Sequence, residues 1–505
     1  MEATIHTVSF QGIHPIPVRV QAHISAGLPA FNIVGLADKS VAESKERIRA
    51  SFVSIGLALP SQRITVNLAP ADIQKEGSHY DLPIAMGLLA AMGILPKEDM
   101  DEHCVMGELG LDASIASVTG SLATAIYANT HEKKFICPKA CANEATWSGH
   151  EHILAPSCLL SLLNHFKGDQ VITPCSKQKP IEQGKERFLP DFKDVKGHAS
   201  AKRALEIAAA GGHHVLLIGP PGSGKSMLAA RMPSVLPELT SKQALETTMI
   251  HSVAGLLPEG GLIKHPPYRA PHHNASQSAL VGGGLKAKPG EISLAHHGIL
   301  FLDELPEFSR TTLEALRQPL ECGEITIARA NAHVTYPSKF QLIAAMNPCL
   351  CGYFGSQERA CSKAPVCAQN YQARLSGPLL DRIDLIVDVP ELPLDTLMHF
   401  DVSKNESSAI IKERVIKARH IQEERSTHLG SKDGINAHLP PDMLEKVAPL
   451  NAACEKTIKS ITSFKSLSGR SYHRILKVAR TLADMEQVCH IAPHHIAEAF
   501  EFRFL

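Results

Sequence analysis

The sequence predicts an α/β chain built in three parts, with a parallel sheet at its centre and helices alone at its end. Three observations lead there. A glycine-rich turn, Gly219-Pro220-Pro221-Gly222-Ser223-Gly224-Lys225-Ser226, follows the apolar run VLLI and opens the helical run KSMLAARM. From about residue 191 to 390 apolar strands and helices alternate, the pattern of a parallel sheet covered on both faces. The last hundred residues show helical periodicity, clearest in ESSAIIKERVIKARHIQEER and GRSYHRILKVARTLADMEQV, with no β-rich run.

Length and composition set the frame. At about 150 residues per domain, 505 residues suggest roughly three domains. Hydrophobic residues make up 44% and charged residues 20%, too apolar a balance for a largely disordered chain. Lys+Arg and Asp+Glu both total 51, so a nucleic-acid site has to be a local basic surface. The longest mostly apolar stretch, residues 82–95, is short of the ~20 residues of a membrane span and is interrupted by Pro83, Gly87 and Gly93. The opening MEATIHTVSF lacks a secretory pattern, so a cytoplasmic protein without a membrane partner is expected.

Residues 1–167 read as one α/β domain, with strands in VRVQAHIS and ITVNLAP and a buried helix in LPIAMGLLAAMGIL. Residues 168–190 are polar, hold three prolines and read as a linker. A second domain is expected over 191–400, opening on the helix AKRALEIAAAGG, and a helical domain over 401–505.

The glycine-rich turn fits the phosphate-loop pattern in its strand-to-helix context. Its glycines let successive N–H groups face phosphates, Lys225 reaches the β and γ phosphates, and Ser226 ligates Mg²⁺. The strand GILFL then ends in Asp303 and Glu304, where a parallel sheet presents its ligand edge. Asp303 is assigned to the Mg²⁺ shell and Glu304 to orienting the attacking water. A third strand ends in Asn347, whose amide can bond a γ-phosphate or the water, and LLDRID offers Arg382 as a transition-state guanidinium. ATP and Mg²⁺ are the expected ligands.

In this order the phosphate loop, LFLDE, AAMNP, SGPLLDRID and LSGRSYHRILKVARTLAD resemble the AAA+ ATPases of the magnesium-chelatase-like group. Longer stretches, KRALEIAAAGGHHVLLIGPPGSGKSMLA, YRAPHHNAS, KPGEISLAHHGILFLDELPEF and NPCLCGYFG, are similar to the ComM/YifB family over nearly the whole chain. The resemblance implies a ring, expected as a hexamer, that acts on single-stranded, forked or branched DNA beside a recombinase or other recombination proteins. Branch migration in natural transformation is the implied task. A protein- or cofactor-remodelling machine of the magnesium-chelatase type is the alternative. By resemblance Asn347 is the first sensor, Arg382 the arginine finger that serves the neighbour's ATP, and Arg470 the second sensor on a helical lid. Arg470, Arg474 and Lys477 recur at helical spacing and are expected to form a cationic stripe, with Lys477 solvated.

Residues 255–297 resemble a helix-two insert and include Arg269, a candidate DNA contact. Residues 324–337, EITIARANAHVTYP, read as a hairpin turning at Ala330-Asn331 and resemble a pre-sensor hairpin, with Arg329 and His333 as candidate phosphate contacts. Cys349, Cys351, Cys361 and Cys367 offer four thiolates for a candidate structural Zn²⁺. The His-His pairs at 213, 272, 296 and 494 are assigned no metal, because adjacent strand residues point to opposite faces. NLAPADIQKEG and MGELGLDASIASVTG resemble the Lon protease fold. His79 and Leu122 fall where its Ser and Lys would stand, and Ser78 is one place off, so peptidase activity is not expected.

Overall fold

The computed structural model describes residues 1–175, 189–257, 261–284, 287–329, 332–354, 361–393, 396, 398, 405–430, 434–462 and 467–503. Most of the expected linker, 176–188, and the hairpin turn at 330–331 lie outside the described residues.

The first part is a seven-stranded mixed sheet. Its strands lie in the order Ala30–Val34, Arg63–Ala69, His14–Ser25, Glu2–Gln11, His103–Val105, Lys134–Ile136 and Ile153–Leu154. Strict alternation directs Val18, Val20, Ala22 and Ile24, and on the next strand Ile64, Val66 and Leu68, to one buried face. The helix Asp81–Ala91 lies on that face and is buried along its whole length. Gly87 allows the close approach: a Cβ there would stand 3.4 Å from Ala22 and 3.5 Å from Ile5. The same helix brings the Asp81 carboxylate into the interior, where Arg47 holds it through Nε at 2.6 Å and Nη2 at 3.0 Å.

The second part is a five-stranded, wholly parallel sheet in the order Tyr268–Arg269, Ile299–Leu302, Gln341–Met346, Val215–Ile218, Leu385–Asp388. All side chains of Val215–Ile218, Ile299–Leu302 and Gln341–Met346 are buried, as both faces are covered. The segment 255–297 is therefore not wholly an added loop. Tyr268–Arg269 pairs with Ile299 and Leu300 and closes one edge of the sheet, because two residues of extended backbone suffice for parallel ladder bonds.

The helices Ser408–His428, Pro441–Val447, Ala452–Thr462, Gly469–Met485 and Pro493–Glu501 make up the last part. Ile411, Val415, Ile475, Leu482 and Ile496 share one apolar core with Leu205 and Ala208 of the helix Ala199–Gly211, which covers the sheet. Two buried carboxylates fasten these helices. Asp484 accepts from Arg425 twice at 2.7 Å and from Asn436 at 2.8 Å. Asp384, at the foot of the strand Leu385–Asp388, accepts from His214 N at 3.0 Å and pairs with Arg474. Burial alone would raise the Asp384 pKa, yet Arg474 and the His213 imidazole hold it well below the usual carboxylate range.

The first and second parts also interlock. At the tip of the first hairpin Ile13, 5% exposed, enters an apolar core with Ile325, Val334 and Tyr336 of the hairpin formed by Glu324–Arg329 and Ala332–Pro337. A second joint is polar: Ser252 of the helix Ser241–Ala254 donates to Glu144 and accepts from Gly120 N at 3.2 Å.

Replacing the buried Asp384 by Asn leaves the half-buried Arg474 without its counter-charge. Asp384→Asn should lower unfolding stability by about 3 kcal/mol. Asp381→Asn, whose side chain is 42% exposed and 3.8 Å from Arg503, should change it by less than ~0.5 kcal/mol in the same urea titration.

Candidate nucleotide site at the carboxyl edge of the sheet

Every group assigned to ATP chemistry by strand position lies at one edge of the parallel sheet. Ile218 pairs with Met346, so Gly219 and Asn347 leave the sheet side by side, while Leu302 on the next strand delivers Asp303. Gly219 cannot carry a side chain, since a Cβ would sit 2.1 Å from the Val389 carbonyl. Gly222 and Gly224 take positive φ, 78° and 90°, and turn the chain into the helix Lys225–Ala229.

Lys225 is 7% exposed and folded onto its own loop, donating to Gly219 O at 2.7 Å, Pro220 O at 2.8 Å and Asn347 Oδ1 at 3.2 Å. Burial pulls its ammonium below the ordinary lysine range, and Asp303 and Glu304 oppose that shift. Ser226 Oγ donates to Asp303 Oδ2 at 2.6 Å. The two assigned Mg²⁺ ligands thus already face each other, and a cation at ~2.1 Å from each would need them only slightly farther apart. Ser223 Oγ is buried in the loop with no hydrogen-bond partner among the described residues, a donor a phosphate oxygen can satisfy. These features fit a Mg²⁺-nucleotide.

Glu304 follows with φ 51°, an uncommon conformation for a residue with a side chain. Its carboxylate turns to His273, Nδ1 to Oε2 at 3.2 Å. His273 belongs to YRAPHHNAS, a stretch the sequence marked without assigning His273 a role.

Arg382 is 6% exposed rather than free, with its guanidinium paired to Glu321 and Nη1 donating to Pro378 O at 2.5 Å. Its Nε is buried without a partner among the described residues. Glu321 is a partner that the sequence reading missed, because it lies sixty-one positions away on a different helix, Arg317–Cys322.

The expected cationic stripe does not form. Arg470 is exposed in the first turn of Gly469–Met485, Arg474 pairs with Asp384, and Lys477, half-buried rather than solvated, donates to Ala437 O at 2.8 Å. That helix face also packs inward farther along, so Arg474 and Lys477 find separate partners while Arg470 faces solvent. Arg269 likewise is engaged, in a two-bond pair with Glu291 at 2.6 and 2.7 Å. Arg329 and His333 stand on the two strands of the hairpin, on either side of its turn, and their side chains lie outside the described residues.

The four cysteine Sγ atoms lie within 4.8 Å of one another, and Cys349 and Cys351 are 3.1 Å apart. Tetrahedral zinc with Zn–S bonds of ~2.3 Å needs sulfurs ~3.8 Å apart, so the set fits that ion. The cysteine loop also abuts the phosphate loop: a Cβ on Gly352 would lie 2.4 Å from Pro221.

The paired histidines at 296 and 494 do not point to opposite faces. The rings of His296 and His297 lie 3.9 Å apart, tilted, over Glu246, and those of His494 and His495 4.0 Å apart over Glu486, because neither pair lies in a strand. In each pair one Nδ1 accepts a backbone N–H, from Lys339 to His296 and from Ala492 to His495. That leaves the proton on the Nε2 facing the carboxylate, where a metal would need a lone pair.

In the first part His79 is buried and bonded to Val8 O at 2.9 Å, Ser78 pairs with Glu108, and Leu122 is fully buried.

Residues 191–397 match the family described as Magnesium chelatase, subunit ChlI, residues 20–141 match Subunit ChlI of Mg-chelatase, and residues 405–503 match Magnesium chelatase, subunit ChlI C-terminal. Fold and site together define a magnesium-chelatase-like AAA+ protein. The chain is 41% identical over 505 residues to Competence protein ComM of Haemophilus influenzae, covering 99% of this chain and 97% of that one. It is 40% identical over 499 residues to YifB of Escherichia coli, described as uncharacterized, covering 99% and 96%. It belongs to the ComM/YifB family. A shorter region, 47% of this chain and 29% of the relative, is 22% identical over 236 residues to Probable DNA helicase MCM9 of Arabidopsis thaliana.

Lys225 carries a buried cation at the loop, and Lys225→Ala should weaken binding of a fluorescent ATP analogue by at least about tenfold, the weight of a charge-assisted bond. Glu304→Gln should bind the analogue as the parent chain does and leave it unhydrolysed.

Proposed function

We propose that this chain is an ATP-driven ring motor acting on DNA, with branch migration of recombination intermediates during natural transformation as its task. The observation that carries the reading is where the hairpin 324–337 is inserted. It lies in the chain between the strand that ends at Asp303 and Glu304 and the strand that ends at Asn347, so a displacement at its tip is transmitted to the groups that meet the γ-phosphate. Similarity to a protein named for competence supports the biological setting, and similarity to a named helicase supports DNA as the substrate.

In this reading Lys225 leaves the Gly219 and Pro220 carbonyls for the β and γ phosphates. Ser226 and Asp303 hold Mg²⁺, which when bound neutralises phosphate charge. Glu304 orients and polarises the attacking water, and Asn347 reports the γ-phosphate through the bond it now makes to Lys225. Arg382 leaves Glu321 to reach the ATP of the next subunit in a hexameric ring, and Arg470 approaches from the helical part. Arg329 and His333 at the hairpin tip meet DNA phosphates. The N-terminal part, residues 1–167, is a Lon-like scaffold without the catalytic dyad, seated under the hairpin through Ile13. The cysteine set holds a structural Zn²⁺ that stiffens the link from Asn347 to Arg382. A cytoplasmic setting and recombination proteins as partners complete the reading. The family matches over all three parts favour, as a second reading, a remodelling machine of the magnesium-chelatase type.

The deciding experiment is ATP-dependent displacement of a labelled strand from forked and three-stranded DNA. Displacement by the parent chain and none by Glu304→Gln supports the motor; no displacement, with ATP hydrolysis indifferent to DNA, supports remodelling. Metal analysis of protein purified without chelators should find stoichiometric zinc, lost in the Cys361→Ser/Cys367→Ser double variant.

A further inference from the structure

The phosphate loop leans on a segment that takes no part in the nucleotide chemistry assigned above. Lys225 Nζ donates to Asn347 Oδ1 at 3.2 Å, and a Cβ on Gly352 would lie 2.4 Å from Cδ and 2.6 Å from Cγ of Pro221. Gly352 takes φ 85°, the left-handed region that favours glycine, and its N–H donates to Cys349 O at 2.9 Å, closing a tight turn over residues 349–352. These two contacts bracket a pair of thiols. Asn347 stands two residues before Cys349, and Gly352 follows Cys351 directly.

The other two thiols come from a separate piece of chain. Cys361 opens a turn closed by Ala364 N to Cys361 O at 3.1 Å, and Cys367 lies in the helix Val366–Gln372. All four Sγ atoms nevertheless lie within 4.8 Å of one another. In the 349–352 turn Cys349 is buried, while Leu350 and Cys351 are exposed, so the turn has little apolar burial to hold it against Pro221. A hydrogen bond from Gln372 Nε2 to Pro348 O at 3.1 Å ties the helix to its base. A metal on the four sulfurs joins turn and helix far more firmly, and it fixes the backbone on both sides of Cys349 and Cys351, where Lys225 and Pro221 are met.

Pro221 leads into Gly222, Ser223 and Gly224, whose N–H groups face the phosphates. A fixed wall behind Pro221 therefore sets where those donors point. Metal binding that orders a segment adds its free energy to the ordered state, and a second ligand that needs the same state gains from it. We propose that zinc at the four cysteines and nucleotide at the phosphate loop are thermodynamically coupled, so that metal occupancy sets ATP affinity and bound nucleotide tightens the hold on the metal. The coupling rests on the zinc and ATP readings above and is independent of what the motor acts on. It makes the cysteine set a regulatory site for the phosphate loop, one that answers to zinc supply.

The test uses the full chain in three states: as purified, stripped of metal by a chelator that is then removed, and stripped and reloaded with Zn²⁺. Each is titrated with a fluorescent ATP analogue in Mg²⁺, and zinc affinity is read by equilibrium competition with a chromogenic chelator, with and without saturating analogue. Stripping should weaken analogue binding about tenfold, within the usual span of coupling between two sites, and zinc should restore it. The analogue should tighten zinc binding by the same factor, a reciprocity that a merely structural metal does not produce. Gly352→Ala should retain stoichiometric zinc and bind the analogue more weakly, because its Cβ displaces Pro221. Parent-like affinity in that variant overturns the Pro221 contact as the link. Equal analogue affinity in the stripped and reloaded chain, failure of zinc to restore the affinity, or a zinc affinity indifferent to the analogue overturns the coupling alone. A chain that takes up no zinc overturns the metal assignment, a zinc-loaded chain that binds no analogue overturns the nucleotide assignment, and the coupling falls with either.

Discussion

The pairing of Val215–Ile218 along both of its edges is the constraint from which the nucleotide site follows. The strand is bonded to Gln341–Met346 on one side and Leu385–Asp388 on the other, in register and all parallel. Parallel strands finish at the same edge, so residues from distant parts of the chain emerge together: the phosphate loop after Ile218, Asn347 after Met346, and Asp303 after Leu302 one strand farther out. Four buried side chains, alternating between the two covered faces, hold this strand in place, and a polar side chain at any of them would be buried in an apolar layer. The loop that leaves it is bounded as tightly, since the Val389 carbonyl blocks any side chain at Gly219.

Charge holds the helical part to this sheet. Asp384 bridges the backbone at His214, the foot of the strand Val215–Ile218, to Arg474 on the helix Gly469–Met485, and Asp484 gathers Arg425, Asn436 and Arg480 inside the helical bundle. A buried carboxylate with several partners is costly to break and restricts where its partners can go. Arg382 lies two residues before Asp384, and its backbone carbonyl also accepts from Arg474. The turn that carries the candidate finger is thus tied to the helical bundle, while the guanidinium is held by Glu321. The backbone of that turn and the helical bundle are joined by the same bonds from Arg474.

Most of the ATP-site assignments were legible because they depend on local pattern. A strand, a glycine-rich turn and a helix place Lys225 and Ser226 wherever the segment folds, and an apolar run that ends in two acids places Asp303 at the sheet edge. The expectations that changed concerned side chains whose partners are remote in sequence. Helical spacing put Arg470, Arg474 and Lys477 on one face, but that face lies against Asp384 and Ala437 and gives each a different environment. The paired histidines at 296 and 494 sit not in strands but in a turn and at a helix start, where two neighbouring rings share one carboxylate. Ile13 carries no local signal at all, yet it seats the first domain beneath the hairpin.

By itself the sequence determined the α/β core, the order of its motifs, the helical end and the chemistry expected at the phosphate loop. These follow from periodicity, turn residues and spacing, which act over a few residues. Tertiary structure alone decided that 255–297 lends an edge strand to the sheet, that Arg269 faces Glu291 and Arg382 faces Glu321, and that His273 meets Glu304. Those pairings join groups separated by tens of residues, and a hydrogen bond or ion pair forms only where the fold brings donor and acceptor within about 3 Å.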